Sequence, residues 1–180
     1  MAEQLFLPGL TDGTWVCVKD GNHTARSIFD RHYSRRFYAD GRNPKLFVGP
    51  GNKMVLLTEN CRALFVWWKF RSMDGQDGIN CAVFRNENSG IVSSSLILEA
   101  DRLADQKWGT QRHYTYVNPA RLHTVKQRCR EMCPWPPGRC FIEAGWRHCG
   151  WSKSGLMILE KPAVADDGCS SPVVPYRVAA

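Results

Sequence analysis

Two periods run through the apolar positions of this chain. Residues 14–19 are β-rich and predict a first strand, closed by the turn Asp20-Gly21-Asn22. Thr24 is then placed to cap a short helix whose Ile28, Phe29 and His32 share one face. Residues 53–58 and 63–70 predict a hairpin across Glu59-Asn60-Cys61. The second of these strands, Ala-Leu-Phe-Val-Trp-Trp-Lys-Phe, is apolar on nearly both faces, which predicts a central place in a sheet. A further strand ends at Arg85. After it the period changes from 2 to 3.6: Val92, Leu96, Ala100 and Leu103 recur on one face of residues 91–108, and Glu99, Asp101, Arg102 and Asp105 fall elsewhere. In residues 112–118, Tyr114, Tyr116 and Asn118 alternate with His113, Thr115 and Val117, so the two sets face opposite ways. A short helix over 138–144 and a hairpin of 147–151 with 156–160, turning at Ser152-Lys153-Ser154-Gly155, complete the elements. The expected fold class is mixed α/β: a central, mostly antiparallel sheet flanked by helices, in one domain over residues 1–160. Residues 1–13 read as an extended lead-in, 119–137 as an irregular basic stretch, and 161–180 as a tail rich in proline and small residues.

Bulk properties narrow this picture. A chain of 180 residues with 43% apolar content and seven tryptophans can build a sizeable core. No apolar run approaches a membrane span and no basic leader precedes one, so a soluble, cytoplasmic protein without membrane contact is expected. The formal charge of +7 and a sequence pI near 9.1 favour anionic partners. The eight cysteines are scattered. Cys129 and Cys133 lie near His123, Cys140, His148 and Cys149, but the spacing matches no tight zinc knuckle, and no metal is expected. Cys133-Pro134-Trp135-Pro136-Pro137 reads more simply as a stiff loop packing one indole.

Candidate chemistry centres on residues 81–90, where an apolar strand ends in Arg85-Asn86-Glu87-Asn88-Ser89-Gly90 and a helix begins. Asn88 or Ser89 would cap that helix, and Gly90 permits an unusual φ. Unpaired N–H groups and the positive helix end would converge there, as an anion requires. A plain capped helix after a strand would use the same residues. The spacing of Arg85, Asn88 and Gly90 resembles the Arg/Gln-x-x-Gly-x-Gly/Ala pyrophosphate motif of the GNAT superfamily of N-acyltransferases, with Asn88 in place of the usual Gly. The order of elements over residues 14–160 is similar to that superfamily, and Gly138-Arg-Cys-Phe-Ile-Glu-Ala-Gly-Trp146 resembles its late helix.

This resemblance implies an acyl-CoA cofactor (acetyl-CoA or similar), held by the Val83 backbone, Arg85, Asn88, Ser89, Gly90 and Asn118. It implies transfer to an amine, with Tyr116, Tyr33 and Asn118 as catalytic residues. Tyr116 is preferred over Tyr114 as proton donor, because the family's helix Tyr is replaced by Phe141; His113, on the opposite face, could serve only as a base elsewhere. Within the superfamily, His32-Tyr33-Ser34 and the basic surface are similar to the Mom family of phage DNA-modification proteins, which implies a DNA base as acceptor. His32, Tyr33, Arg35 and Arg36 would then contact substrate, Lys126, Arg128 and Arg130 would add phosphate contacts, and Phe37, Tyr38 or Trp135 would stack an extruded base. A half-buried, satisfied His32 is the alternative for that residue. The alternative for the whole is an inactive module of the same fold that binds nucleic acid or protein. Donor, acceptor atom and oligomeric state stay open.

Overall fold

The computed structural model describes residues 14–70, 72–124 and 136–163. The lead-in, Lys126, Cys129, Arg128, Arg130, Cys133, Trp135 and the tail beyond 163 lie outside the described residues, as does the His123 side chain. The elements are β1 (Trp15–Val18), α1 (His23–Asp30), β2 (Asn52–Thr58), β3 (Ala63–Lys69), β4 (Ile79–Asn86), α2 (Ser93–Trp108), β5 (His113–Val117), α3 (Pro119–Thr124), α4 (Arg139–Glu143), β6 (Arg147–Trp151) and β7 (Met157–Lys161). Among the described residues the strands form one seven-stranded sheet in the order β1-β2-β3-β4-β5-β7-β6. Its pairs are antiparallel except β4 with β5, which is parallel. No helix among these residues is long and apolar enough to cross a membrane.

Alternation along β3 builds both layers of the core. Phe65 and Trp67 join Leu96, Ile97, Ala100, Leu103, Phe141 and Trp146 on the face covered by α2 and α4. Leu64 and Val66 join Ala25, Ile28, Val55 and Leu57 on the α1 face. The strand that was apolar on both sides is therefore internal, between β2 and β4. Burial of the leucines, isoleucines, valines and phenylalanines among them contributes roughly 1.5–3 kcal/mol each.

Four boundaries differ from the sequence expectation. α1 is capped by Asn22, not Thr24: the Asn22 Oδ1 accepts from the Thr24 and Ala25 N–H groups at 3.0 and 3.1 Å. α2 starts at Ser93, with Val92 at the cap position and no side-chain cap. Asn88 and Ser89 are instead consumed by the preceding turn. The basic stretch after β5 is not irregular at its start: α3 begins at Pro119, and the Asn118 Oδ1 accepts from the Arg121 N–H at 3.2 Å. β7 also runs one residue into the segment assigned to the tail.

The approach to β4 is held by a glycine. Gly78 has φ +112°, and a Cβ there would lie 2.2 Å from the Arg112 carbonyl oxygen. That oxygen accepts from the Ile79 N–H at 2.8 Å, which sets the first β4–β5 contact. Gly78→Ala should combine backbone strain with a clash and cost about 3 kcal/mol or more. Chemical denaturation of this variant would check the value.

Candidate functional site

β4 and β5 begin as neighbours and then separate. Their pairing runs Ile79 to His113, Asn80 to Tyr114 and Cys81 to Thr115, although β4 continues to Asn86 and β5 to Val117. The cause is visible on the other edge of β4, where the register with β3 shifts between Val66 and Trp67. Val66 opposes Val83 and Trp67 opposes Cys81, so Ala82 is an extra, bulged residue. Cys81 accordingly packs with the α2-face cluster and Val83 with the α1-face cluster, although residues two apart in a regular strand share a face. Among the described residues, one edge of β4 beyond Cys81 has no strand beside it.

A cleft of about 390 Å³ opens at this point. Its walls are Asn80, Cys81 and Ala82 of β4, Tyr116 and Asn118 at the end of β5, Arg121 of α3, and Leu156. Residues 33–36, which follow α1, close the remaining side. The Arg121 Nη1 donates to the Tyr33 carbonyl at 2.7 Å and ties that segment to α3.

The expected site residues divide into two groups. Tyr33, Arg35, Arg36, Tyr116 and Asn118 meet at the cleft, whereas Arg85, Asn88, Ser89 and Gly90 belong to the turn before α2. Within the cleft, the Tyr33 hydroxyl accepts from the Asn118 backbone N–H, and burial raises its pKa, so it stays protonated. The Tyr116 hydroxyl donates to the Asp74 Oδ2 at 2.5 Å. Burial and that carboxylate raise the Tyr116 pKa strongly, while bonds from Ser72 and Tyr116 lower that of Asp74. Tyr114 shares the Tyr116 face but is fully buried, with its ring edge-on to Tyr116 at 5.7 Å. Asn118 reaches the cleft while its Oδ1 caps α3.

The two arginines differ. Arg35 pairs with Asp30 at 2.7 Å, donates to the Arg36 carbonyl at 2.8 Å and lies over the Phe37 ring at 4.6 Å. The Arg36 guanidinium is exposed and has no ion pair or hydrogen bond among the described residues. Phe37 is 80% exposed, and Arg42 covers Tyr38 at 4.3 Å, so the segment presents cation–aromatic pairs beside the cleft.

His32 faces inward, as a satisfied histidine. Its Nδ1 accepts from the Ser34 hydroxyl at 2.7 Å and the Ser34 N–H at 3.2 Å, so the other nitrogen carries the proton and donates to the Phe84 carbonyl. Burial, then the charge of Arg85, lowers its pKa from 6.5 to about 4. The unfolded chain takes up a proton as pH falls through 6.5 and the folded chain does not until about pH 4. Stability should therefore fall by about 3 kcal/mol between these values and level off below. Denaturation midpoints against pH would show this slope, and His32→Asn should abolish it.

In the turn, Asn88 has φ +59° and Gly90 φ +85°, the left-handed geometry that Asn and Gly tolerate best. Several of its groups are engaged internally. The Ser89 N–H donates to the Asn86 Oδ1 at 3.0 Å and the Ile91 N–H to the Ser89 Oγ at 3.3 Å. Arg85 donates to the Glu87 Oε1 at 2.6 Å, and Arg31 reaches the same carboxylate at 2.8 and 2.6 Å. Arg31 first, and Arg85 with it, hold the Glu87 pKa down to about 2, so this cluster carries a neutralising charge at all working pH. The N-terminal amides of α2 at Ser93–Ser95 carry no such side-chain cap.

His113 lies outside the cleft. It is buried between Asp101 at 3.0 Å and Asp105 at 3.3 Å, on the α2 face, as the alternation of β5 requires. Sequence reasoning missed Asn80, Asp74 and Arg121. Asn80 had a signal, a polar residue inside the apolar run Ile79-Asn80-Cys81-Ala82-Val83. The chain matches no protein-family model and no curated protein.

Proposed function

We propose that this chain is a GNAT-like group-transfer enzyme that places an acyl or related group on an amine, with a DNA nucleobase as the favoured acceptor. The observation that carries this reading is the parting of the parallel pair β4–β5 beyond a bulge at Ala82, with the cleft at the fork. The free edge of β4 offers backbone donors and acceptors to an extended, amide-containing arm such as that of acyl-CoA. The N–H groups of Ser93–Ser95, at the positive end of α2 and without a side-chain cap, suit its phosphates. Arg85 and Arg31 share the single Glu87 carboxylate, which offsets only one of their two positive charges.

A bound acyl-CoA would supply an activated carbonyl. Protons are then handled by this chain's own side chains. Tyr33 keeps its phenolic proton through burial and can deliver it to a departing group, the role left open where Phe141 is buried in the core. Tyr116 can accept a proton at its oxygen from an attacking amine as its own passes to Asp74. A weak base suffices, because an amine nitrogen becomes strongly acidic as it bonds to carbon. The donor role expected of Tyr116 thus passes to Tyr33. Arg36, which lines the cleft, and the exposed Phe37 next to it in the chain suit a phosphate backbone and a stacked base.

Calorimetric titration with acetyl-CoA tests the reading. A Kd on the order of 1–100 μM is expected for the native chain, within the range of working enzyme–substrate affinities, with loss of binding when Ala82→Trp fills the fork. The second reading, an inactive module of this fold, is favoured by the closed Arg31–Glu87–Arg85 cluster. Absence of acyl-CoA binding with DNA binding intact would select it.

A further inference from the structure

Asn80 lines the cleft and sits at the second of the three pairs that join β4 to β5. It is 6% exposed, and its Oδ1 is buried without a hydrogen-bond partner. Other buried side-chain atoms without a partner among the described residues are the Asp105 Oδ1, the His113 Nε2 and the Tyr114 hydroxyl. The first two face each other at 3.3 Å, and none of the three residues lines the cleft. A buried carbonyl oxygen lacking an N–H is costly in a strand where Val or Ile would pack without loss. Its neighbours Ile79, Cys81 and Val83 are apolar, so the strand itself gives no reason for an amide.

Resting on the nucleobase reading above, we infer that Asn80 is a specificity residue whose Oδ1 accepts an N–H from the exocyclic amine of the acceptor base. A carbonyl oxygen rewards a base that presents an amine and penalises one that presents a hydrogen or an oxo group, because the oxygen is then left dry and unpaired. The position suits this role. The last paired residues fix the Asn80 backbone, and Tyr116, whose hydroxyl would receive the amine proton, lines the same cleft. Asn80 is a positioning group here and takes no proton itself.

The test uses the full chain and two single-stranded pentanucleotides of thymine, one with adenine at the centre and one with unsubstituted purine. The native chain should bind the adenine strand about tenfold more tightly, the discrimination expected when one hydrogen bond to a buried acceptor is lost. Asn80→Leu and Asn80→Ala should equalise the two affinities and leave acetyl-CoA affinity unchanged. Asn80→Leu should not lower the melting temperature, since it removes an unpaired oxygen from the interior. Equal affinity of the native chain for both strands, or a preference that survives in both variants, would overturn the assignment of Asn80 alone. Failure to bind either strand would overturn the nucleobase reading and this inference together. A melting temperature lowered by several degrees in both variants would show the amide to be a structural group and would also overturn the assignment.

Discussion

Asp101→Ala should be the most destabilising single change in the chain, by about 3–5 kcal/mol, because it strands buried donors that share one carboxylate. Asp101 is 1% exposed on α2. Its Oδ1 lies 3.0 Å from the His113 Nδ1 of β5, and its Oδ2 accepts from the Trp146 Nε1 at 3.1 Å and the Lys161 Nζ of β7 at 2.8 Å. Lys161 is partly exposed and can turn to water, but His113 and Trp146 cannot. Both rings pack on Trp67, with centroids 4.7 and 6.3 Å away, so the lost bonds lie inside the main core. For a chain of this size the melting temperature should drop by roughly 10 °C. Asp101→Asn keeps an acceptor for one donor and should fall between. Urea denaturation that gives less than about 1 kcal/mol for the alanine variant would show the network to be dispensable.

Tyr33→Phe should produce the largest loss of activity that leaves the fold intact. The ring stays packed against His32, 4.3 Å between centroids, so stability should change by less than about 1 kcal/mol. The hydroxyl is the protonated group that faces the Asn118 backbone at the fork, and its removal deletes the proposed proton donor. Single-turnover transfer should slow by about 10²–10⁴-fold, the usual worth of a positioned acid, with acetyl-CoA affinity unchanged. A rate within threefold of the native chain would remove Tyr33 from the mechanism. Tyr116→Phe, by the same measurement, should slow proton removal from the amine and so lower the rate more at acidic than at alkaline pH.

Periodic features of the fold were legible in the sequence because they need only one strand or helix to be seen. The two-faced apolar run of β3, the alternation that separates His113 from Tyr116, and the closing β6–β7 hairpin all appear where the pattern places them. The left-handed Asn88 was legible too, since few residue types tolerate that conformation. Features that depend on a distant partner were not. The bulge at Ala82 is a slip between two strands and leaves no mark in the periodicity of one. Arg85 looked like a free cation in its own segment, but Glu87 captures it, and the ion pair is completed by Arg31 of a different element. The late start of α2 reflects competition: the Asn86 and Ser89 side chains close their own turn instead of capping the helix. α3 could have been found, because Asn118 followed by Pro119 is an N-cap and first-turn signature.

The central proposal is that the fork between β4 and β5 modifies an amine on a DNA base. Expressing the chain in a bacterial host, digesting the host DNA to nucleosides and weighing them is the most direct measurement. A new nucleoside heavier than deoxyadenosine or another amine-bearing nucleoside is expected, absent from cells that express Tyr33→Phe or Ala82→Trp at equal level. A nucleoside profile identical to that of the empty host, with soluble native protein present and acetyl-CoA binding intact, would contradict it and direct the search to a small-molecule or protein amine.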